Sequence, residues 1–164
     1  GILASLVGIV FTFACGSSYL MEARPAWTTV TLPLAYLGTA AAAGAGLNLL
    51  VKAVQKRDEA ALSFAGVLAA AGGALGLVLG AAFCLSAGAY LAAAGNGAAT
   101  WAGALFATLA VEVACGAVAA KRPSRAVALG VASCVCGVIA AIALRATMWL
   151  IGTPFMDFFL MALD

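Results

Sequence analysis

Charged positions cut the chain into long apolar blocks. The first block is broken by Glu22-Ala-Arg24-Pro25-Ala-Trp27, the second by the polar run from Lys52 to Glu59, and the fourth by Lys121-Arg-Pro-Ser-Arg125. Between Glu59 and Glu112 there is no charge at all, a stretch long enough for two spans at about 20 residues each. Gly95-Asn96-Gly97 is the clearest turn inside it. The pattern predicts five helices, over residues 1–20, 30–54, 60–85, 100–119 and 126–151, and a tail over 152–164. Pro25 disfavours helix in the residue before it, and Trp27, Tyr19 and Tyr36 suit an interfacial aromatic belt. Pro33 falls in the first turn of the second helix, where a missing backbone donor costs nothing. The third apolar run continues past residue 85 to Ala94, a surplus that tilt or an interfacial stretch would absorb. The tail begins with a turn at Gly152-Thr153-Pro154 and reads on as an aromatic-rich, partly amphipathic stretch suited to a short interfacial helix.

Composition turns this pattern into a membrane assignment. Of the 164 residues, 66% are apolar and 9% charged, against roughly 25% charged in a soluble domain. A soluble chain of this size has too much surface to cover with so few polar groups. The expected fold is all-α: one polytopic transmembrane bundle of about five spans. The formal charge of +2 does not imply a nucleic-acid partner, because the basic residues sit at helix ends and form no patch that could track phosphates.

Orientation follows from the short loops. Lys52, Lys56 and Arg57 follow the second helix, Lys121, Arg122 and Arg125 follow the fourth, and the other two connections hold only Arg24. The positive-inside rule places both basic loops in the cytoplasm, so the N-terminal end of these residues is expected inside and Asp164 outside. Gly1-Ile2-Leu3 runs directly into apolar sequence without the basic region of a signal peptide, which suggests a cut through a longer protein.

Gly72, Gly76 and Gly80 recur at spacing four in the third helix, and Gly38, Gly44 and Gly46 lie among alanines in the second. Small residues let lipid-embedded helices approach closely, where apolar burial alone gives them no reason to associate. Tight bundle packing is the first reading of these glycines, and a glycine-lined passage the second. Asn48, polar within the second helix, is expected to bond to another helix.

Few groups could carry chemistry. Glu112 and Arg145 are the ionisable residues within predicted spans, and an intramembrane charge is costly unless it is paired or faces a polar cavity. Their predicted depths differ by about 9 Å at helical rise, a gap an arginine could partly span. Arg145 could instead reach the headgroups, and Glu112 could be a buried carboxyl bonded to a neighbouring helix. The functional expectation for both is a proton or quinol site. Tyr19, Glu22, Arg24 and Trp27 form a cluster at the outer end that could face a soluble partner. The cysteines, Cys15, Cys84, Cys115, Cys134 and Cys136, fall inside predicted spans without a CxxC pair, as expected of small buried hydrophobes. The chain has no histidine, so imidazole-held haem and Ser–His or Cys–His catalysis are excluded within it. No phosphate loop or dinucleotide fingerprint occurs.

Tyr19 to Pro33 reads Y-L-M-E-A-R-P-A-W-T-T-V-T-L-P. This resembles the membrane-anchor subunits of the dimethyl sulfoxide reductase family, in which a tyrosine precedes a P-x-W-x5-P run entering the next helix; here those positions are Pro25, Trp27 and Pro33. Arg145, Trp149 and Gly152-Thr153-Pro154-Phe155 resemble that family's last helix and the segment after it. One position departs: a glutamate often stands four residues before that arginine, where this chain has Ala141.

The resemblance implies the last five helices of an eight-span anchor, in a bacterial cytoplasmic membrane. It implies menaquinol as bound substrate, and neither haem nor metal in the chain. The implied partners are an iron–sulfur electron-transfer subunit and, beyond it, a molybdopterin catalytic subunit. Residues tied to quinol in that family lie largely in the first helices, so a complete quinol site is not expected here. The readings that remain are a fragment of a transporter or channel and a purely structural membrane protein.

Overall fold

A computed structural model describes residues 2–20 and 24–152. Six α-helices carry the fold: α1 (Ile2–Ser17), α2 (Thr31–Val54), α3 (Glu59–Ser86), α4 (Gly88–Ala93), α5 (Gly95–Lys121) and α6 (Ala126–Gly152). No strand occurs among the described residues. Both loop prolines start single 3-10 turns, Pro25–Trp27 and Pro123–Arg125, since a proline supplies the required φ and has no N–H to leave unpaired.

The four long helices form a ring. α2 packs against α3 and α6, α5 packs against the same two helices, and the diagonal pairs barely meet. Short connections make each neighbouring pair antiparallel. α1 lies outside the ring against α2. Two apolar clusters fill the interior. The larger, at the end that carries Trp27, includes Leu32, Tyr36, Phe83, Leu105, Leu144 and Met148. The smaller, near the basic loops, includes Leu49, Leu62, Ala69 and Ala119. Outward faces are apolar as well, with Phe64, Val78, Leu85, Val111, Val131 and Ile142 exposed. A surface as hydrophobic as the core suits a bundle solvated by lipid.

α2, α3, α5 and the helix ending at Gly152 are each long and apolar enough to cross a membrane, which makes this a multi-pass membrane protein. α1, at 16 residues, extends about 24 Å, less than the hydrocarbon thickness of about 30 Å. The five expected helices are therefore four of spanning length and one shorter.

Two boundaries differ from the sequence reading. The apolar surplus after residue 85 does not prolong α3: that helix stops at Ser86, Ala87 closes it, and α4 forms a separate short helix. α5 then begins at Gly95 and not near residue 100. Gly95 takes φ +73 and reverses the chain at a single residue, a conformation that glycine adopts without a Cβ penalty. Asn96 and Gly97 are thereby free to enter the first helical turn, where the Thr100 hydroxyl donates to the Asn96 carbonyl at 2.8 Å. α2 ends with the reciprocal bonds of a Schellman motif, Arg57 N–H to the Lys52 carbonyl at 3.2 Å and Lys56 N–H to Ala53 at 3.1 Å. The left-handed position in that motif is Lys56, at φ 51.

Helix contacts are closest at glycines. A Cβ on Gly116 would lie 2.4 Å from the Ala70 nitrogen, and one on Gly66 2.5 Å from the Ala120 nitrogen. α3 and α5 thus cross backbone to backbone, with the Ser63 hydroxyl donating to the Ala120 carbonyl at 2.8 Å beside the crossing. Gly46, Gly130 and Gly137 serve the contact of α2 with α6 in the same way. Of the expected glycine row, Gly72 faces α2 at Ala41, Gly76 touches both Leu109 of α5 and Gly38 of α2, and Gly80 makes only ordinary contacts with α5. Four residues turn a helix by about 400°, so the row drifts about 40° per step from one neighbour to the next.

Candidate functional site

At the Trp27 end, residues distant in sequence form one aromatic and cationic cluster. The 3-10 turn lays the Trp27 indole directly over the end of α6, where a Cβ on Gly152 would meet the ring at 2.6 Å. Its Nε1–H donates to the Met148 carbonyl at 2.9 Å. Trp27 is only 2% exposed, and its edge meets Trp149 at a centroid distance of 5.2 Å and Tyr19 at 6.0 Å. Tyr19 in turn stacks on Tyr36 at 5.8 Å. The hydroxyl of Tyr36 points to the Met148 sulfur at 3.5 Å.

Two guanidinium groups border this aromatic column. Arg24 lies 4.3 Å from the Trp27 ring centroid and 5.6 Å from that of Trp149, within the range of a cation–π contact. Arg145 lies 5.6 Å from the centroid of Tyr36. Arg145 and Trp149 are one turn apart on the same face of α6. The arginine reaches sideways over the Tyr36 ring of α2.

Of the four residues expected at this end, Tyr19, Arg24 and Trp27 are brought together, and Glu22 lies outside the described residues. The tail beyond Gly152, with its expected interfacial helix, also lies outside them. Tyr36, expected with Tyr19 and Trp27 in an aromatic belt, joins the cluster, and so does Trp149, which the sequence marked only through the family resemblance. Next to the cluster, Thr31 and Ser86 hydroxyls meet at 2.6 Å, with Thr29 bonded to Thr31, and tie the start of α2 to the end of α3.

Glu112 occupies a different place. It is fully buried on α5, between the two apolar clusters, and the Ser133 hydroxyl of α6 donates to its Oε1 at 3.5 Å. Its Oε2 has no hydrogen-bond partner among the described residues. The stretch from Ser133 to Arg145 rises about 18 Å along α6, and Arg145 is exposed on the side of α1 and α2. An ion pair between Glu112 and Arg145 is thus ruled out by both depth and face, and the two do not share one site. The depth gap is twice the expected one because α5 starts earlier than the sequence pattern suggested.

Below the cluster, a cleft of about 190 Å³ opens between α1, α2 and α6, lined by Phe11, Thr12, Tyr36, Ala141, Leu144 and Arg145. All five cysteines are free and half-buried, and no group of three or more potential metal ligands occurs among the described residues. Asn48 lies at a shallow groove between α2 and α3, beside Gly44 and Gly72. No family model matches this chain, and no curated protein or solved structure is significantly similar to it.

Proposed function

We propose that the chain is a membrane-anchor subunit of a molybdopterin-containing reductase, which attaches an iron–sulfur partner to a bacterial cytoplasmic membrane and takes part in menaquinol oxidation. One observation carries the reading. The two stretches that resemble the dimethyl sulfoxide reductase anchors, Tyr19–Pro33 and Arg145–Trp149, lie far apart in sequence yet meet through Trp27, Met148 and Trp149. Residues that share one surface can share one role. The half-exposed Trp149, with Arg24 above it and Tyr19 beside Trp27, offers an aromatic and basic face to a soluble subunit. In this reading the basic loops at the opposite end are cytoplasmic and this face is the outer one.

In this reading Glu112 is the interior carboxyl that exchanges a proton when quinol is oxidised, and the electrons leave through the partner's iron–sulfur clusters to the molybdopterin subunit. Purification of the intact complex in mild detergent tests it, with assays for bound iron–sulfur protein and for oxidation of a menaquinol analogue. Co-purification that weakens in Arg24→Glu and Trp149→Ala variants is the expected result. A folded, intact preparation with neither an iron–sulfur partner nor quinol turnover would overturn the proposal.

The second reading, a transporter, draws on the same buried Glu112 with its unpartnered oxygen, because carboxyls inside transport proteins commonly mark ion pathways. Proton-coupled solute uptake into proteoliposomes that stops in a Glu112→Gln variant would favour it over the anchor.

A further inference from the structure

We infer that the cleft between α1, α2 and α6 is a binding site for an anionic glycerophospholipid, with its phosphate on Arg145 and an acyl chain along Phe11, Ala141 and Leu144. This site is separate from Glu112, borders the partner face at Arg24, and does not depend on the anchor proposal.

Arg145 carries its charge within the span of α6 with no carboxylate beside it among the described residues. α6 has 27 residues and a length of about 40 Å, about 10 Å more than the hydrocarbon core. Centred in a bilayer, it extends about 5 Å past the core at each end, which puts Arg145 about 5 Å inside the hydrocarbon boundary. Its guanidinium faces Tyr36, and no carboxylate among the described residues is near it. Glu112 is about 18 Å away along α6, and Asp58 and Glu59 are at the opposite end of the bundle. A charge at this depth needs an anion or a polar cavity.

The lining says which anion. Arg145 is exposed at the cleft between α1, α2 and α6, so its partner can arrive from outside the bundle. A guanidinium fork suits phosphate oxygens, and charge-assisted bonds to phosphate are strong. The Tyr36 hydroxyl lies within interaction range of both Arg145 and Tyr19 and can add a neutral donor. Arg24, above Trp149, adds a second positive charge toward the headgroup layer and favours a lipid of net negative charge. Beside Arg145 the cleft is lined by Phe11, Ala40, Ala141 and Leu144, and the Thr12 and Thr39 hydroxyls there donate to carbonyls of their own helices. Its volume of about 190 Å³ is smaller than the roughly 300 Å³ at which enclosed ligand pockets begin. It therefore suits a single chain lying in an open channel better than an enclosed two-ring quinol head.

The test uses the whole chain in nanodiscs holding a minority of phosphatidylglycerol in phosphatidylcholine. After extraction into mild detergent, wild-type protein is expected to retain phosphatidylglycerol several-fold above its bulk share. Arg145→Gln should return retention to the bulk ratio, Tyr36→Phe should lower it less, and Arg125→Gln at the far end should leave it unchanged. A measurement on the unaltered cleft guards against a misfolded variant. In a Trp101→Phe background, brominated phosphatidylglycerol should quench the remaining tryptophan fluorescence more strongly than brominated phosphatidylcholine. Soluble glycerol phosphate should not displace the lipid, because it lacks the chain. The inference fails if retention matches the bulk ratio in wild type, if Arg145→Gln retains as much as wild type, or if both brominated lipids quench equally. It also fails if glycerol phosphate or a menaquinone analogue removes the retained lipid. None of these failures would bear on iron–sulfur partner binding.

Discussion

The indole of Trp27 donates its only N–H to the carbonyl of Met148, at 2.9 Å, across a sequence separation of 121 residues. That bond closes the bundle at one end. It joins the 3-10 turn before α2 to the end of α6, four residues before its last residue. Trp27→Phe should keep the ring packing and lose the bond, at a cost of about 1 kcal/mol. Trp27→Ala should cost about 3–5 kcal/mol, because it also empties the space over Gly152. Reversible unfolding in mixed micelles measures both, and equal losses for Phe and Ala would show that the bond, and not the ring, dominates.

The crossing of α3 and α5 at Gly66 and Gly116 leaves no room for a methyl group, since the nearest atoms are backbone. Gly116→Ala should force the helices apart and destabilise the protein by about 1–3 kcal/mol. Gly103 offers the control, because a Cβ there meets nothing within 4 Å. Gly103→Ala should be neutral or stabilising by up to about 1 kcal/mol through helix propensity. Thermal unfolding of the two variants side by side is the measurement.

Lys56 holds a left-handed conformation at the end of α2, which costs an L-residue roughly 1–2 kcal/mol. Lys56→Gly should relieve part of this and raise stability by about 0.5–1 kcal/mol. Lys52, Arg57 and the basic loop after α5 remain to hold topology. A variant less stable than wild type would mean that the Lys56 side chain contributes more than its backbone costs.

Gly95 presents the converse case. A side chain there would touch nothing, so the cost of Gly95→Ala is conformational alone, about 1–2 kcal/mol. The loss should appear as faster proteolysis at the junction of α4 and α5 before any change in global unfolding.

Glu112 is poorly satisfied as a structural residue, with one long bond to Ser133 and one oxygen unbonded. Replacing such a group by an apolar one of similar size is often neutral or stabilising. Glu112→Met should therefore unfold at the same or higher denaturant concentration than wild type. If the carboxyl serves proton exchange, the same variant should lower menaquinol-analogue oxidation at least about tenfold, in the range expected for loss of an acid–base group. Loss of stability with activity retained would mark Glu112 as structural.

Much of the architecture was legible along the chain. Charge-free blocks located the long helices, Pro25 and Pro123 marked their interruptions, and Pro33 sat in the first turn of α2 as its spacing implied. Arg24, Trp27 and Tyr19 were recognisable as one end of the molecule. The start of α5 was not, because the apolar pattern cannot tell a reversal at one positive-φ glycine from a longer turn. Tyr36 was legible with Tyr19 and Trp27 as an interfacial aromatic, but their stacking was not, and Trp149 was tied to that end only by the family resemblance.

The sequence by itself determined that these helices are solvated by lipid, and which end of each is basic. Transfer of a side chain into hydrocarbon is a property of that residue and its neighbours in a span, so it can be summed along a line. Tertiary structure alone decided which glycines matter, that Glu112 and Arg145 belong to separate places, and that Trp27 reaches Met148. Those outcomes depend on the azimuth of each residue around its helix and on how far each helix slides against the next. With outward and inward faces equally apolar, hydrophobic patterning does not specify either one. Close backbone contact at Gly66, Gly116 and Gly46 sets the slide, and the slide brings the aromatic residues of α1, α2 and α6 together at one end.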